Sequence, residues 1–128
     1  MARVTGIGGI FFKARDPDAL KAWYEARLGV TTDRQESGAT FRWRDAEDPA
    51  REGFTVWSVF PADTQYFGES DQPFMINYRV DDLDGLLASL RAAGVEIAGE
   101  IEEYEYGRFA WVYDPEGNRI ELWEPSGR

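Results

Sequence analysis

IFFKARDPDALKAWYEARLGV (residues 10–30) and INYRVDDLDGLLASLRAAGV (residues 76–95) follow one pattern. Each opens with a short run of β-branched and aromatic residues and passes an aspartate suited to a helix N-cap. Each then carries apolar residues at three- and four-residue spacing and closes on Gly-Val. In the first copy Asp16 is the N-cap, Pro17 the first helical residue and Gly29 the C-cap, with Leu20, Trp23, Tyr24, Arg27 and Leu28 on one face. In the second copy Asp81-Asp82 begins the helix and Leu83, Leu86, Leu87 and Leu90 form its apolar face.

The spacing of the copies is regular. Asp16 to Asp81 and Gly29 to Gly94 are both 65 apart. Further on, Asp48-Pro49 pairs with Asp114-Pro115, and Thr55-Val56-Trp57 with Glu121-Leu122-Trp123, at a spacing of 66. Two copies of this size indicate a duplicated half-domain rather than a solenoid. Strands are expected at Ile7–Ala14, from Val30, at Phe41–Arg44 and at Phe54–Phe60, so each half reads β-α-β-β-β. The fold class is therefore α+β: two tandem βαβββ half-domains forming a curved mixed sheet, helices on the convex face and a ligand cavity on the concave one. The expected single domain divides into a first module at 1–61, a polar linker at 62–73 and a second module at 74–128.

Composition narrows the function. The chain has 128 residues, 43% hydrophobic and 15% aromatic, enough apolar material for one core. Fourteen basic against 24 acidic residues leave a net charge of −10, which disfavours nucleic acid and anionic membranes as partners. There is no cysteine, which excludes disulfides, thiol nucleophiles and thiolate metal sites. There is no histidine either, which removes the commonest general base and metal ligand. No stretch reads as a signal peptide or membrane span, so a cytoplasmic location is expected.

Alternation along the strands selects the cavity residues. Ile10, Phe12, Ala14, Ile76, Tyr78, Val80, Ile120 and Leu122 are expected to face the helices. Gly9, Phe11, Lys13, Met75, Asn77, Arg79, Arg119, Glu121 and Trp123 then face the cavity, and the repeat adds Thr55 and Trp57. The candidate ligand-binding residues are thus Phe11, Lys13, Thr55, Trp57, Met75, Asn77, Arg79 and Trp123, an aromatic wall with a few polar points. Glu121 is the candidate catalytic residue: a carboxylate desolvated by tryptophans acquires a raised pKa suited to proton transfer. A structural ion pair with Arg79, Arg119 or Lys13 would also account for it. Lys13 and Arg79 read as surface charges near a strand end, with anion ligands as the alternative. Tyr104, Tyr106 and Arg108 form either a pocket cover or a plain turn, and the acidic run Glu100, Glu102, Glu103 and Glu105 reads as a solvated loop.

The run Asp114-Pro115-Glu116-Gly117-Asn118-Arg119-Ile120-Glu121-Leu122-Trp123-Glu124-Pro125 resembles the signature of the glyoxalase / bleomycin-resistance / extradiol-dioxygenase group, the vicinal oxygen chelate superfamily. Phe11 to Pro17, Trp23-Tyr24 and Leu28-Gly29 resemble its first strand and helix, and Val80 to Leu83 with Ala93-Gly94-Val95 the second. The resemblance implies a homodimer and a divalent-metal site on the first and fourth strands of each half. Those positions fall here on Gly9, Thr55, Met75 and Glu121, of which only Glu121 is a metal-ligand type. No cofactor is therefore expected, with weak divalent-metal binding through Glu121 left open. The leading expectation is a small-molecule-binding protein without the metal site, taking an aromatic or cationic ligand in a Trp-lined cavity. The alternative is a lyase, isomerase or dioxygenase using Glu121 as base or metal ligand.

Overall fold

Helix α1 (Pro17–Leu28) begins where the Asp16 carboxylate accepts the Ala19 backbone N–H at 3.1 Å, with Pro17 in the first turn. It ends at Gly29, whose φ of 71° places it in the left-handed region. Helix α2 (Leu83–Ala92) repeats the device, Asp82 accepting from the Gly85 N–H at 3.1 Å. The computed structural model describes residues 2–32 and 38–126. In chain order the strands are β1 (Val4–Ala14), β2 (Gly38–Arg44), β3 (Glu52–Pro61), β4 (Phe74–Val80), β5 (Glu102–Tyr104), β6 (Gly107–Tyr113) and β7 (Arg119–Pro125). Residues 30–32 carry no strand, and the rest of the stretch expected to extend from Val30 runs into 33–37, outside the described residues.

The strands form one seven-stranded mixed sheet in the order β2-β3-β1-β4-β7-β6-β5. β1 and β4 meet antiparallel at its centre, with Ile10 opposite Ile76. Each then takes a parallel neighbour, β3 beside β1 and β7 beside β4, so the halves are related by a local twofold. The sheet is strongly curled. Phe54 on β3 and Trp123 on β7 lie three strand spacings apart, roughly 14 Å in a flat sheet, yet their ring centroids are 5.4 Å apart.

One face is covered by α2, where Leu83 and Leu87 pack with Val80, Ala110, Val112 and Leu122. Arg108 fastens this side: it donates to both Asp84 carboxylate oxygens, at 3.0 and 2.9 Å, and pairs with Glu103 at 3.3 Å. It therefore belongs to the helix side and not to a pocket cover. The concave face carries a second cluster of Phe11, Phe67, Met75, Phe109, Trp111 and Trp123.

Two expectations are corrected. Thr55 and Trp57 do not face the cavity. Trp57 packs against Phe12 at 5.2 Å and Tyr24 at 4.8 Å on the helix side, and Thr55 donates to the Ile7 carbonyl at 2.6 Å while accepting from Trp43 Nε1. The cause is register. Phe11 pairs with Ser58 whereas its twofold counterpart Asn77 pairs with Glu121, a spacing of 63 rather than 66. A three-residue slip is odd, so it turns every β3 side chain to the opposite face. Counted from the two Asp-Pro turns, Ser58 lies ten residues after Asp48 whereas Glu121 lies seven after Asp114, so the slip enters between the turn and the pairing of β3 with β1. The other correction concerns α1, whose apolar face is only partly covered: none of its residues is buried, Trp23 and Leu28 are exposed, and Leu20 and Tyr24 are half-buried.

Trp57→Ala is therefore expected to lower stability by about 2–3 kcal/mol, through loss of packing on Phe12 and Tyr24. Urea denaturation measures it, and an unchanged midpoint would contradict this placement.

Candidate functional site

Across the concave face, Thr40, Val56, Gly9, Asn77, Glu121 and Trp111 stand opposite one another on six neighbouring strands. Directly opposed residues share a face and their side chains meet. Asn77 Nδ2 accordingly donates to Glu121 Oε1 at 2.5 Å, and Trp111 Nε1 donates to Oε2 at 2.9 Å. The third donor comes from the segment expected to be a linker: the Tyr66 hydroxyl donates to Glu121 Oε2. Its neighbour Phe67 is fully buried. From this segment Tyr66 lines the cavity, stacked on Phe60 at 5.3 Å.

Glu121 is 1% exposed. Burial holds its carboxyl above the ordinary carboxylate value, outweighing the hydrogen bonds from Tyr66, Asn77 and Trp111 and the nearby Arg119 charge. Burial, followed by the charge of Glu121, also pushes the Tyr66 hydroxyl upward, so it stays protonated and donating. Asn77 Oδ1 is buried without a hydrogen-bond partner among the described residues. It lies against Gly8, where a Cβ would collide with it.

The cavity encloses about 620 Å³. Both edge strands reach it, through Thr40 on β2 and Tyr104 on β5. Of the residues singled out in the sequence, Phe11, Asn77, Tyr104, Tyr106, Glu121 and Trp123 line it, while Met75 lies buried in the same aromatic cluster. Lys13 and Arg79 are not lining residues. Lys13 Nζ sits 5.2 Å over the Phe67 ring, and the Arg79 guanidinium lies 5.0 to 5.5 Å from the rings of Trp123, Trp43 and Phe54. Sequence reasoning missed Tyr66, Trp111, Ser58 and Glu102. For Tyr66 the available signal was an aromatic pair inside an otherwise polar stretch, and for Trp111 it was alternation along residues 107–113.

With the register known, the four positions that the family resemblance assigns to a metal are Gly9, Ser58 in place of Thr55, Met75 and Glu121. They supply one carboxylate, a hydroxyl and a thioether. Both carboxylate oxygens are already engaged, and a Cβ on Gly9 would come within 2.7 Å of the Phe11 ring, which fills the space a first-strand ligand needs. This donor set does not fit a tightly held divalent ion. Among the described residues no group of three His, Cys, Asp or Glu side chains is arranged to hold a metal ion.

A curled mixed sheet built from two helix-bearing halves around a lined cavity is the architecture of the Glyoxalase/Bleomycin resistance protein/Dioxygenase superfamily, and the chain belongs to it: the family model matches residues 6–122. No curated protein matches the chain at a significant level. Among solved structures it is similar to a Streptomyces coelicolor methylmalonyl-CoA epimerase variant in complex with 2-nitronate-propionyl-CoA, at 18% identity and a TM-score of 0.69, covering 98% of this chain and 100% of that one. The Mycobacterium tuberculosis methylmalonyl-CoA epimerase gives 21% identity and 0.60, over 96% and 89%. The Mn(II)-bound glyoxalase from Novosphingobium aromaticivorans gives 24% and 0.60, over 97% of this chain and 40% of that one. These likenesses establish the fold.

The carboxyl environment yields a pH prediction. Because the folded state favours protonated Glu121, its contribution to stability is complete below the ordinary carboxylate range and is lost as pH rises through its elevated folded value. Glu121→Gln removes this loss, and a flipped Asn77 amide can meet the new side chain. The variant is expected to gain in Tm relative to wild type as pH rises from about 4 to about 8. A difference that stays flat across that range would show that no charge is being buried.

Proposed function

We propose that the protein binds a small aromatic or cationic molecule in this cavity without a metal. The observation that carries the reading is the engaged state of Glu121. Its oxygens accept from Tyr66, Asn77 and Trp111 on the cavity floor, while the walls are largely aromatic. Such a floor suits recognition: a neutral hydroxyl and a carboxylate fixed in place, with Tyr66 able to accept a further hydrogen bond from a ligand. The CoA esters of the epimerases are anionic. Among the described lining residues here there is no Lys or Arg to meet a carboxylate or phosphate, so that substrate is not carried over.

In this reading the protein works in the cytoplasm as a homodimer that binds neither nucleic acid nor membrane. The net charge of −10 supports the last two points. Exposed Ile7, Ile10, Trp23 and Phe74 support assembly. Among the described residues no helix is long and apolar enough to cross a membrane.

A second reading, a metal-free isomerase or lyase with Glu121 as base, is favoured by the raised carboxyl pKa. Its cost is that the base must first shed its hydrogen bonds.

Elemental analysis of untagged protein, with Mn²⁺, Ni²⁺, Co²⁺ and Zn²⁺ titrated alongside, tests the metal-free reading. The expected result is substoichiometric metal and an unchanged Tm. About one tightly held ion per chain, lost in Glu121→Ala, would overturn it.

A further inference from the structure

The charges around the cavity are segregated. Its lining holds two carboxylates, Glu121 on the floor and Glu102 at the mouth, and no Lys or Arg among the described residues. Lys13 and Arg79, the cations expected there, are drawn onto ring faces outside the lining.

The mouth is also aromatic. Tyr104 and Tyr106, at the β5–β6 hairpin, stack with centroids 5.3 Å apart. Phe109 stands edge-on to both, 5.9 Å from Tyr104 and 5.6 Å from Tyr106. Both tyrosines are exposed, so part of each ring stays open to solvent beyond these contacts. Glu102 pairs directly with Phe109 across the hairpin, which puts a carboxylate beside the rings, and the Tyr104 hydroxyl donates to it. Ring faces with an adjacent anion, open to solvent on one side, are the surroundings that hold an ammonium group. The protein already does this with its own cation: Trp43, Phe54 and Trp123 surround the Arg79 guanidinium.

Resting on the small-molecule reading above, we propose that the ligand is an organic cation, a quaternary or protonated amine, whose charged head sits among Tyr104, Tyr106 and Phe109 against Glu102. Its uncharged body then extends inward along Trp123 and Phe60 towards Tyr66 and Glu121. A quaternary head has no N–H to donate, so ring faces and charge do the selecting. Arg79, Trp123, Phe109 and Glu102 lie in one row across β4, β7, β6 and β5, so the rings of Trp123 and Phe109 stand between Arg79 and the head. The net charge of −10 speeds the encounter with a cation at low ionic strength.

Three probes of similar size separate the outcomes: benzyltrimethylammonium, benzyl alcohol and phenylacetate, each titrated into untagged wild-type protein by calorimetry with Tm shifts alongside. The cation is expected to bind at least tenfold more tightly than the anion and to weaken as sodium chloride is added. Glu102→Gln, with circular dichroism confirming the fold, is expected to lower the cation's affinity severalfold and leave that of benzyl alcohol unchanged. Phenylacetate binding as well as or better than the cation overturns the cation proposal while leaving the small-molecule reading standing. An unchanged cation affinity in Glu102→Gln, with a loss in Glu121→Gln, overturns the placement at the mouth. If no probe binds at millimolar concentration, the cavity reading falls with the proposal.

Discussion

Glu121 is the group around which the concave face is arranged. An uncompensated carboxylate in aromatic surroundings would cost several kcal/mol, so its neighbours are donors. Asn77 and Trp111 reach it because they stand opposite it on the adjoining strands, and Tyr66 because the segment after β3 folds back over the cavity. The small residues at 8 and 9 belong to the same requirement: a side chain at Gly8 would displace the Asn77 amide, and one at Gly9 would displace the Phe11 ring beside it. Strands β4, β6 and β7 and the segment after β3 must therefore come together before the carboxylate is satisfied.

How much of this is readable in the sequence depends on whether a local rule or a long-range register decides the residue. The capped helices, the central strands and the family follow from Asp16-Pro17, Asp82, Gly29 and the run from Asp114 to Pro125, because capping and alternation act over a few residues. Phe11, Asn77, Glu121 and Trp123 could be placed on the cavity side for the same reason. Trp57 and Thr55 could not, because their facing is set by where β3 pairs along β1, a long-range register that the repeat spacing does not give. Tyr66 escaped because its partner lies 55 residues away and a polar, glycine-containing stretch reads as a spacer. Glu102 escaped because an acidic run usually means a solvated face, and only the curl of the sheet brings this one to a cavity.

The family's fold leaves its chemistry to whatever side chains project from a few strand positions. In this chain those positions hold a glycine, a serine, a methionine and an occupied glutamate. The space between them is filled by the Phe11 ring and the indole of Trp111 rather than by ligands converging on an ion. The same alternation that elsewhere presents donors here presents ring faces, and the polar groups that remain are bonded to one another.

The close approach of Phe11 to Gly9 also bears on which mutational routes are open. A histidine introduced at position 9 meets the benzyl ring before it can meet an ion, so its benefit depends on position 11 having changed first. A smaller residue at 11, arriving alone, opens a void in the aromatic cluster and gains nothing in return. The two changes are thus harmful singly and compensate each other only as a pair: a case of sign epistasis written into one strand, two residues apart.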